Sequence, residues 1–297
     1  MRILLFGKNG QVGWELNRSL PPLGEVIALG REEADFSQPE ALRNIVQAIK
    51  PDVIVNAAAY TAVDKAEDEE VLATTVNGDA PGVLAEEAKK LNALLVHYST
   101  DYVFDGKKDT PYTELDEPNP INAYGRSKLA GEESVRLSGC DYLILRTSWV
   151  YSDRGDNFLL KIIQLASEKE ELNIVDDQRG APTWARLIAE RTAQIILLST
   201  GKREAGIFGP GIYHLVTRDC TTWYELAKQI IKEAERQQDD NLFLVKNINP
   251  VSSDEFVTRA KRPKNTCLSV EVMEKKFGIE MPAWAHALKL CFKSMER

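Results

Sequence analysis

The sequence predicts an α/β protein whose first half forms a doubly wound parallel sheet. Three observations predict it. Short apolar runs alternate with amphipathic stretches of helical period as far as about residue 150. The first of those runs meets a glycine-rich turn that opens directly into a helical pattern. The run over 52–59 reads as a strand buried on both faces, as a strand covered by helices on each side must be.

In chain order, Arg2 to Phe6 forms the first strand and runs into Gly7-Lys-Asn-Gly10-Gln-Val-Gly13, after which residues 14–20 continue with helical period. In a strand–turn–helix unit of this kind Gly7 allows the tight turn and Gly10 the approach of a pyrophosphate to backbone N–H groups. Gly13 allows close packing of helix on strand. The spacing is GxxGxxG, so its placement at the head of a βαβ unit carries the reading more than the glycines themselves. Glu25 to Leu29 is the second strand, ending beside the expected adenosine ribose at Gly30-Arg31. An acid there would bind a ribose 2′-hydroxyl, whereas Arg31 favours a 2′-phosphate and hence NADP(H). Glu32 and Glu33 keep NAD(H) open. Asp35 and Phe36 begin the next connection, where the acid can reach the adenine amino group. A helix over 39–49 leads through Pro51 into the third strand, and the small residues at 57–59 leave room for a cofactor. A polar loop over 60–67 and one long helix over 68–91, carrying Asn77, come next. A strand over 93–98, a proline-bearing loop, a helix over 123–137 and a strand over 142–145 complete the sheet.

The chemistry gathers at residues 96–128. The apolar strand ends at Ser99-Thr100, and after a loop Tyr124-Gly-Arg-Ser-Lys128 opens a helix. A carbonyl being reduced needs an acid that holds its proton at neutral pH; a phenol, with pKa ~10, qualifies if a nearby Lys⁺ lowers that value. Tyr124 and Lys128 stand at i, i+4, on one helix face. Tyr224 and Lys228 have the same spacing, but no strand-end Ser or Thr shortly precedes them, and Leu226, Ala227, Ile230 and Ile231 make theirs an ordinary amphipathic helix. Tyr224 is therefore read as structural.

With 297 residues and 43% hydrophobic content the chain can bury a sizeable core. A formal charge of −8 disfavours nucleic acid and anionic membrane as partners and leaves a small-molecule ligand. Cys140, Cys220, Cys267 and Cys291 lack metal-ligand spacing, and His97, His214 and His286 do not cluster, so reduced thiols and no metal site are expected. No charged leader or bilayer-length apolar run is seen, which places the protein in the cytoplasm. From about residue 151 the pattern changes to helices over 156–168, 184–199, 221–236 and 283–294, with short strands over 172–175, 213–216 and 242–245.

Six ordered motifs then carry a resemblance: the glycine turn, Asn56 to Glu67, Ser99-Thr-Asp-Tyr-Val-Phe-Asp-Gly106, Tyr124-Gly-Arg-Ser-Lys128, Arg146-Thr-Ser-Trp-Val-Tyr151 and Asp177-Gln-Arg-Gly-Ala-Pro-Thr183. Together, and with Arg262-Pro263 and Pro282-Ala-Trp284, they resemble the dTDP-4-dehydrorhamnose reductase family of extended short-chain dehydrogenase/reductases over nearly the whole chain. The resemblance implies a Rossmann-type NAD(P)-binding domain over 1–150, with parts of 151–210 returning to it, and a smaller α/β C-terminal substrate domain over most of 151–297. It implies a catalytic trio of Thr100, Tyr124 and Lys128. The cofactor would lie along the glycine turn with its Gln11 and Val12, along Ala59, Tyr60 and Thr61, and beside Tyr98. Asp101 and Trp149 would touch a nucleotide deoxysugar, and Arg262, in the basic run 259–264, could hold its diphosphate. The implied reaction is NAD(P)H-dependent reduction of a C4 keto group. A nucleotide-sugar epimerase or dehydratase of the same fold is the nearest rival, weakened because Asp101 is followed by Tyr102 and not by a second carboxylate. A non-catalytic nucleotide-binding regulatory subunit is the other, weakened by the intact trio. Some family members dimerise through a metal held by glutamates; Glu15 matches one ligand, but Arg186 stands where the other is expected, so no structural metal is predicted and a homodimer stays open.

Overall fold

A computed structural model describes residues 1–237 and 243–295. Six parallel strands form the central sheet. β1 (Arg2–Phe6), β2 (Glu25–Leu29), β3 (Val53–Asn56), β4 (Leu94–Thr100) and β5 (Asp141–Thr147) are joined by the strand Gly211–His214, in the spatial order 211–214, β5, β4, β3, β1, β2. The chain runs outward from β1 to β2 and then in the other direction from β3. The crevice at the carboxyl ends of β1 and β3 is therefore where such sheets bind ligands.

Strict alternation along the strands builds two cores. Ile3, Leu5, Val53, Val55, Leu94, Val96, Leu143 and Leu145 pack on one face, while Leu4, Phe6, Ile54, Leu95 and Ile144 pack on the other. Helix α1 (Gln11–Ser19) and the helix Ala185–Glu204 lie together on the first side; α2 (Pro39–Ile49), α5 (Ala80–Leu91) and α6 (Ala123–Ser138) pack in sequence on the second. The caps follow from the sequence. Pro39 occupies the first turn of α2, Asn122 caps α6 by accepting from Gly125 N at 2.8 Å, and Gly139 closes α6 in the left-handed conformation.

Four expectations need correction. The helix expected over 68–91 is broken into α4 (Glu70–Thr74), a π-helical turn Thr75–Asp79 and α5, and the preceding loop contains the short helix α3 (Val63–Ala66). Pro81 has no N–H for the carbonyl of Asn77, so the regular ladder cannot pass through this point. The third strand stops at Asn56, since Asn56 Oδ1 turns back to accept from Ala58 N at 3.1 Å. Of the strand expected over 242–245, Leu242 lies outside the described residues, and the amides of Leu244 and Val245 instead donate to the Ala166 carbonyl. The strand is Asn247–Val251, paired in parallel with Glu171–Val175. Finally, Cys220 and Cys267, expected as free thiols, meet as a disulfide with Cα atoms 5.9 Å apart, while Cys140 and Cys291 are free and buried. Pairing of Thr221–Thr222 with Arg179–Gly180, next to Asn265, brings those two distant segments together. Among the described residues no helix is long and apolar enough to cross a membrane.

The π turn also sets how closely α6 approaches. A Cβ on Gly131 would lie 2.1 Å from the Asn77 carbonyl oxygen. Gly131→Ala should therefore lower the melting temperature, costing about 1–3 kcal/mol as overpacking does. Gly201→Ala, in a helix interior with nothing within 4 Å of its Cβ, should be neutral or stabilising. Paired thermal melts check both, and a Gly131→Ala protein as stable as the parent would show that the helices can move apart freely.

Candidate active site

The glycine turn is shaped for close approach. Gly7 has φ +84, and a Cβ there would lie 2.7 Å from the Ala57 and Ala58 backbone; one on Gly13 would lie 2.0 Å from the Gly7 carbonyl. Helix α1 begins at Gly10 without a side-chain cap, so its first N–H groups point outward as an anion site. A cavity of about 490 Å³ opens from this turn and brings together Gly7, Gly10, Arg31, Asp35, Phe36, Ala59 and Tyr60. It fits a dinucleotide: a backbone cradle at one end and a cation, Arg31, beyond β2 at the other. Glu33 is folded back, accepting from Gly30 N at 2.8 Å and pairing with Lys8, which leaves Arg31 as the cation next to the end of β2 on the wall. The Asp35 carboxylate is lowered in pKa mainly by the Ser37 amide, from which it accepts at 3.0 Å. Asn77 holds the Tyr60 backbone from both sides, accepting from its N–H at 2.9 Å and donating to its carbonyl at 3.0 Å.

Gln11 and Val12 give α1 its first N–H groups, while their side chains and those of Thr61 and Tyr98 lie outside the cavity lining. Gln11 accepts from the Ser152 hydroxyl at 3.0 Å, Val12 packs against the core, and Thr61 is exposed on the following loop. Tyr98 is buried with its phenol 2.6 Å from the Thr192 hydroxyl, on the far side of the sheet. What Tyr98 offers the site is its carbonyl, which accepts from Lys128 Nζ at 2.6 Å. Asn9, Lys65 and Leu72 also line the cavity and were not singled out, because nothing local in the sequence points them inward.

The catalytic candidates converge at the end of β4. Thr100 is its last residue, and α6 starts with Tyr124 in its first turn and Lys128 one turn later. The Thr100 hydroxyl lies beside the Tyr124 phenol, near enough to favour its ionised form, and Tyr102 packs edge-on against Tyr124 with ring centroids 5.9 Å apart. Burial pushes the Tyr124 phenol up to about 12, opposed by the Thr100 hydroxyl and assisted by the charge of Asp101. The expectation that Lys128 lowers this value is not met: the ammonium is turned to the Tyr98 carbonyl, and burial brings Lys128 itself down to about 8. Tyr124 thus holds its proton firmly at neutral pH. Tyr224, by contrast, lies under the Lys228 ammonium on a partly exposed helix face, outside the cavities described for this site.

Asp101 lies behind Thr100. Its Oδ1 accepts from Thr100 at 3.0 Å and its Oδ2 from Ser148 at 2.7 Å, so a sugar hydroxyl could reach it only by displacing one of these. Trp149 adopts φ +44 and stacks face to face on Trp223, centroids 3.5 Å apart, with Gly180 against its edge. Arg262 donates to Asp64 Oδ2 at 2.8 Å and also reaches the Tyr102 hydroxyl, so it stands next to the phenol that contacts Tyr124. It lines a second cavity, of about 850 Å³, walled by 105–109, 177–179 and 253–265. Sequence reasoning missed Tyr102, Ser148, Trp223 and Thr266; Tyr102 and Ser148 sit inside quoted motifs, whereas Trp223 and Thr266 carry no local signal. Arg186 pairs with Glu15 at 3.2 Å, so the buried carboxylate is neutralised within the chain.

The family model for the RmlD substrate binding domain matches residues 1–297. A dTDP-4-dehydrorhamnose reductase from Burkholderia thailandensis is 49% identical over 295 residues, covering 99% of each chain. One from Shigella flexneri is 46% identical over 293 residues, 97% of this chain and 96% of the relative. A crystal structure of the Bacillus anthracis dTDP-4-dehydrorhamnose reductase in complex with NADP superimposes with a TM-score of 0.86 at 34% identity, over 99% of both chains.

Tyr124→Phe removes the proton donor and keeps the ring, so turnover should fall by at least about 10²-fold with cofactor binding nearly unchanged. Tyr224→Phe should leave turnover close to the parent's. Steady-state kinetics with nucleotide-binding titrations decide it, and a more damaging Tyr224 substitution would reverse the assignment.

Proposed function

The chain belongs to the RmlD substrate-binding-domain family, and from that premise we propose how its site works as an NAD(P)H-dependent oxidoreductase. The reaction is reduction of the C4 keto group of dTDP-4-dehydro-6-deoxy-L-mannose (dTDP-4-dehydrorhamnose) to dTDP-L-rhamnose, a step of dTDP-rhamnose biosynthesis. NADP(H) is the favoured cofactor and NAD(H) the alternative. The observation that carries the reading is the pair of adjacent hydroxyls, Thr100 and Tyr124, at the carboxyl end of β4 with a buried ammonium one turn away.

When bound, the reduced nicotinamide supplies a hydride to the C4 carbon. The residues of this chain handle the oxygen. Negative charge grows on it as the carbonyl is reduced, and Tyr124, protonated well past neutral pH, delivers its proton there; a sugar alkoxide is a stronger base than a phenolate. Thr100 hydrogen-bonds the same oxygen. Lys128 is aimed by the Tyr98 carbonyl, which takes one of its three donors, and the remaining N–H bonds are available to a nicotinamide ribose. Backbone N–H groups at the start of α1 hold the pyrophosphate, and Arg31 the 2′-phosphate. On the substrate side Arg262 supplies a cation beside Tyr102, and Trp149, held flat by Trp223, supplies an apolar face for the 6-deoxy sugar. A nucleotide sugar is the partner we assign, with the reaction in the cytoplasm.

Arg31→Asp should lower the ratio of kcat/KM for NADPH over NADH by about 10-fold or more, because a charge-assisted bond to phosphate is replaced by repulsion. Measuring both cofactors in parent and variant is the check; an unchanged ratio would remove Arg31 from the 2′-phosphate. Trp149→Ala should raise KM for the nucleotide sugar and lower kcat while the NADPH affinity holds. A loss of melting temperature alone, with sugar kinetics intact, would make the tryptophan stack purely structural.

A further inference from the structure

The Thr100 hydroxyl has one proton to donate and two lone pairs with which to accept. In this structure its proton is committed. The hydroxyl donates to Asp101 Oδ1 at 3.0 Å and accepts from Tyr102 N at 3.2 Å, with the Tyr124 phenol beside it. An ionised Asp101 can only accept, so it must take the Thr100 proton, and the remaining Thr100 lone pair then draws the proton of the neighbouring Tyr124 phenol. Both protons needed at the C4 oxygen are in that state pointed away from it. A protonated Asp101 reverses the first bond. Its own O–H donates to Thr100 Oγ1, with the Tyr102 amide filling the other lone pair. The Thr100 proton is released, and the Tyr124 phenol no longer has an acceptor there.

We propose that Asp101 is a positioning residue that acts as a neutral acid, setting the direction of the Thr100 hydrogen bond so that Thr100 and Tyr124 both present donors to the C4 oxygen. The proposal rests on the reading that these two hydroxyls meet that oxygen. The site is built for a neutral carboxyl. Asp101 is 3% exposed, and its hydrogen-bond partners, Thr100 and Ser148, are hydroxyls that can each donate or accept. Burial pushes the group up to about 6 against the pull of the Thr266, Ser148 and Thr100 hydroxyls. The titratable groups that feel it are the phenols of Tyr102, on its own turn, and Tyr124, on α6; Arg262 lies one step further, at the Tyr102 hydroxyl. A bound sugar covers the site and removes water, which favours the neutral form further.

The sign follows directly: the neutral form is the active one, so turnover is highest below the pKa of Asp101 and falls as pH rises through it. The test is kcat against pH, with saturating NADPH and dTDP-4-dehydrorhamnose, for the parent, Asp101→Ala, Asp101→Asn and Ser148→Ala. NADPH titration and thermal melts confirm folded protein. Asp101→Ala should lose about 10-fold or more in kcat, with a smaller change in KM. Asp101→Asn, whose amide N–H can donate to Thr100 but cannot ionise, should recover most of that loss and abolish the falling limb. Ser148→Ala removes a bond that favours the anion, so its limb should move to higher pH. An Asn variant no better than the Ala variant, a limb that survives in Asp101→Asn, or an unmoved limb in Ser148→Ala would overturn the proposal. Failure of the underlying reading shows separately, as full turnover in Tyr124→Phe.

Discussion

One buried ammonium ties the catalytic helix to the sheet. Lys128 is 2% exposed and donates to the Tyr98 carbonyl at 2.6 Å, one residue pair before β4 ends. An unpaired charge at that depth would be costly, so the bond fixes the rotation of α6 as well as its distance from the strand. Tyr124, one turn earlier on the same face, is thereby set over Thr100. The opposite wall of the helix is fixed by backbone contact, where Gly131 lets α6 close on the π turn and the Asn77 side chain donates to Ser127 Oγ at 3.0 Å. The same Asn77 holds the Tyr60 backbone at the cofactor cavity. One polar side chain in an interrupted helix thus registers the catalytic helix and the cofactor wall against each other.

The substrate side is fastened by charge more than by packing. Arg262 pairs with Asp64 and Arg259 with Asp68, linking the run 259–264 to the segment after β3, and Lys264 pairs with Asp177 at 3.3 Å. The exposed pair contributes little to stability in water, where ions are well solvated. Arg262 is different, because its side chain is only 22% exposed and also reaches Tyr102. A diphosphate arriving there meets a guanidinium already aligned by a carboxylate, so part of the ordering cost is met before binding.

Strands and helices of the first half were legible because their signals are local: an apolar run in β4, a glycine turn between β1 and α1, helical period in the stretches between strands. The tyrosine and lysine of α6 were legible for the same reason, since i, i+4 spacing survives folding unchanged. Relations across elements were not. Nothing near Tyr98 says that its phenol crosses to Thr192, leaving only its carbonyl to the site, and the eight-residue motif around Asp101 does not reveal that Ser148 and Thr266 enclose it. The Trp149–Trp223 stack and the Cys220–Cys267 pair join residues from separate segments, whose distances only the assembled chain defines. The π turn was missed because its cause, a proline in the middle of a good helical pattern, is equally compatible with a simple kink.

The stacked tryptophans have an optical consequence. Their rings lie 3.5 Å apart and within 6° of parallel, so the two indole transition dipoles are close enough to mix into coupled excited states. Only these two of the five tryptophans form such a stack among the described residues, and one is the residue we propose to face the deoxysugar. The near-ultraviolet circular dichroism of the chain therefore carries a built-in signature of that wall, one that changes when a ligand tilts either ring and that needs no attached dye.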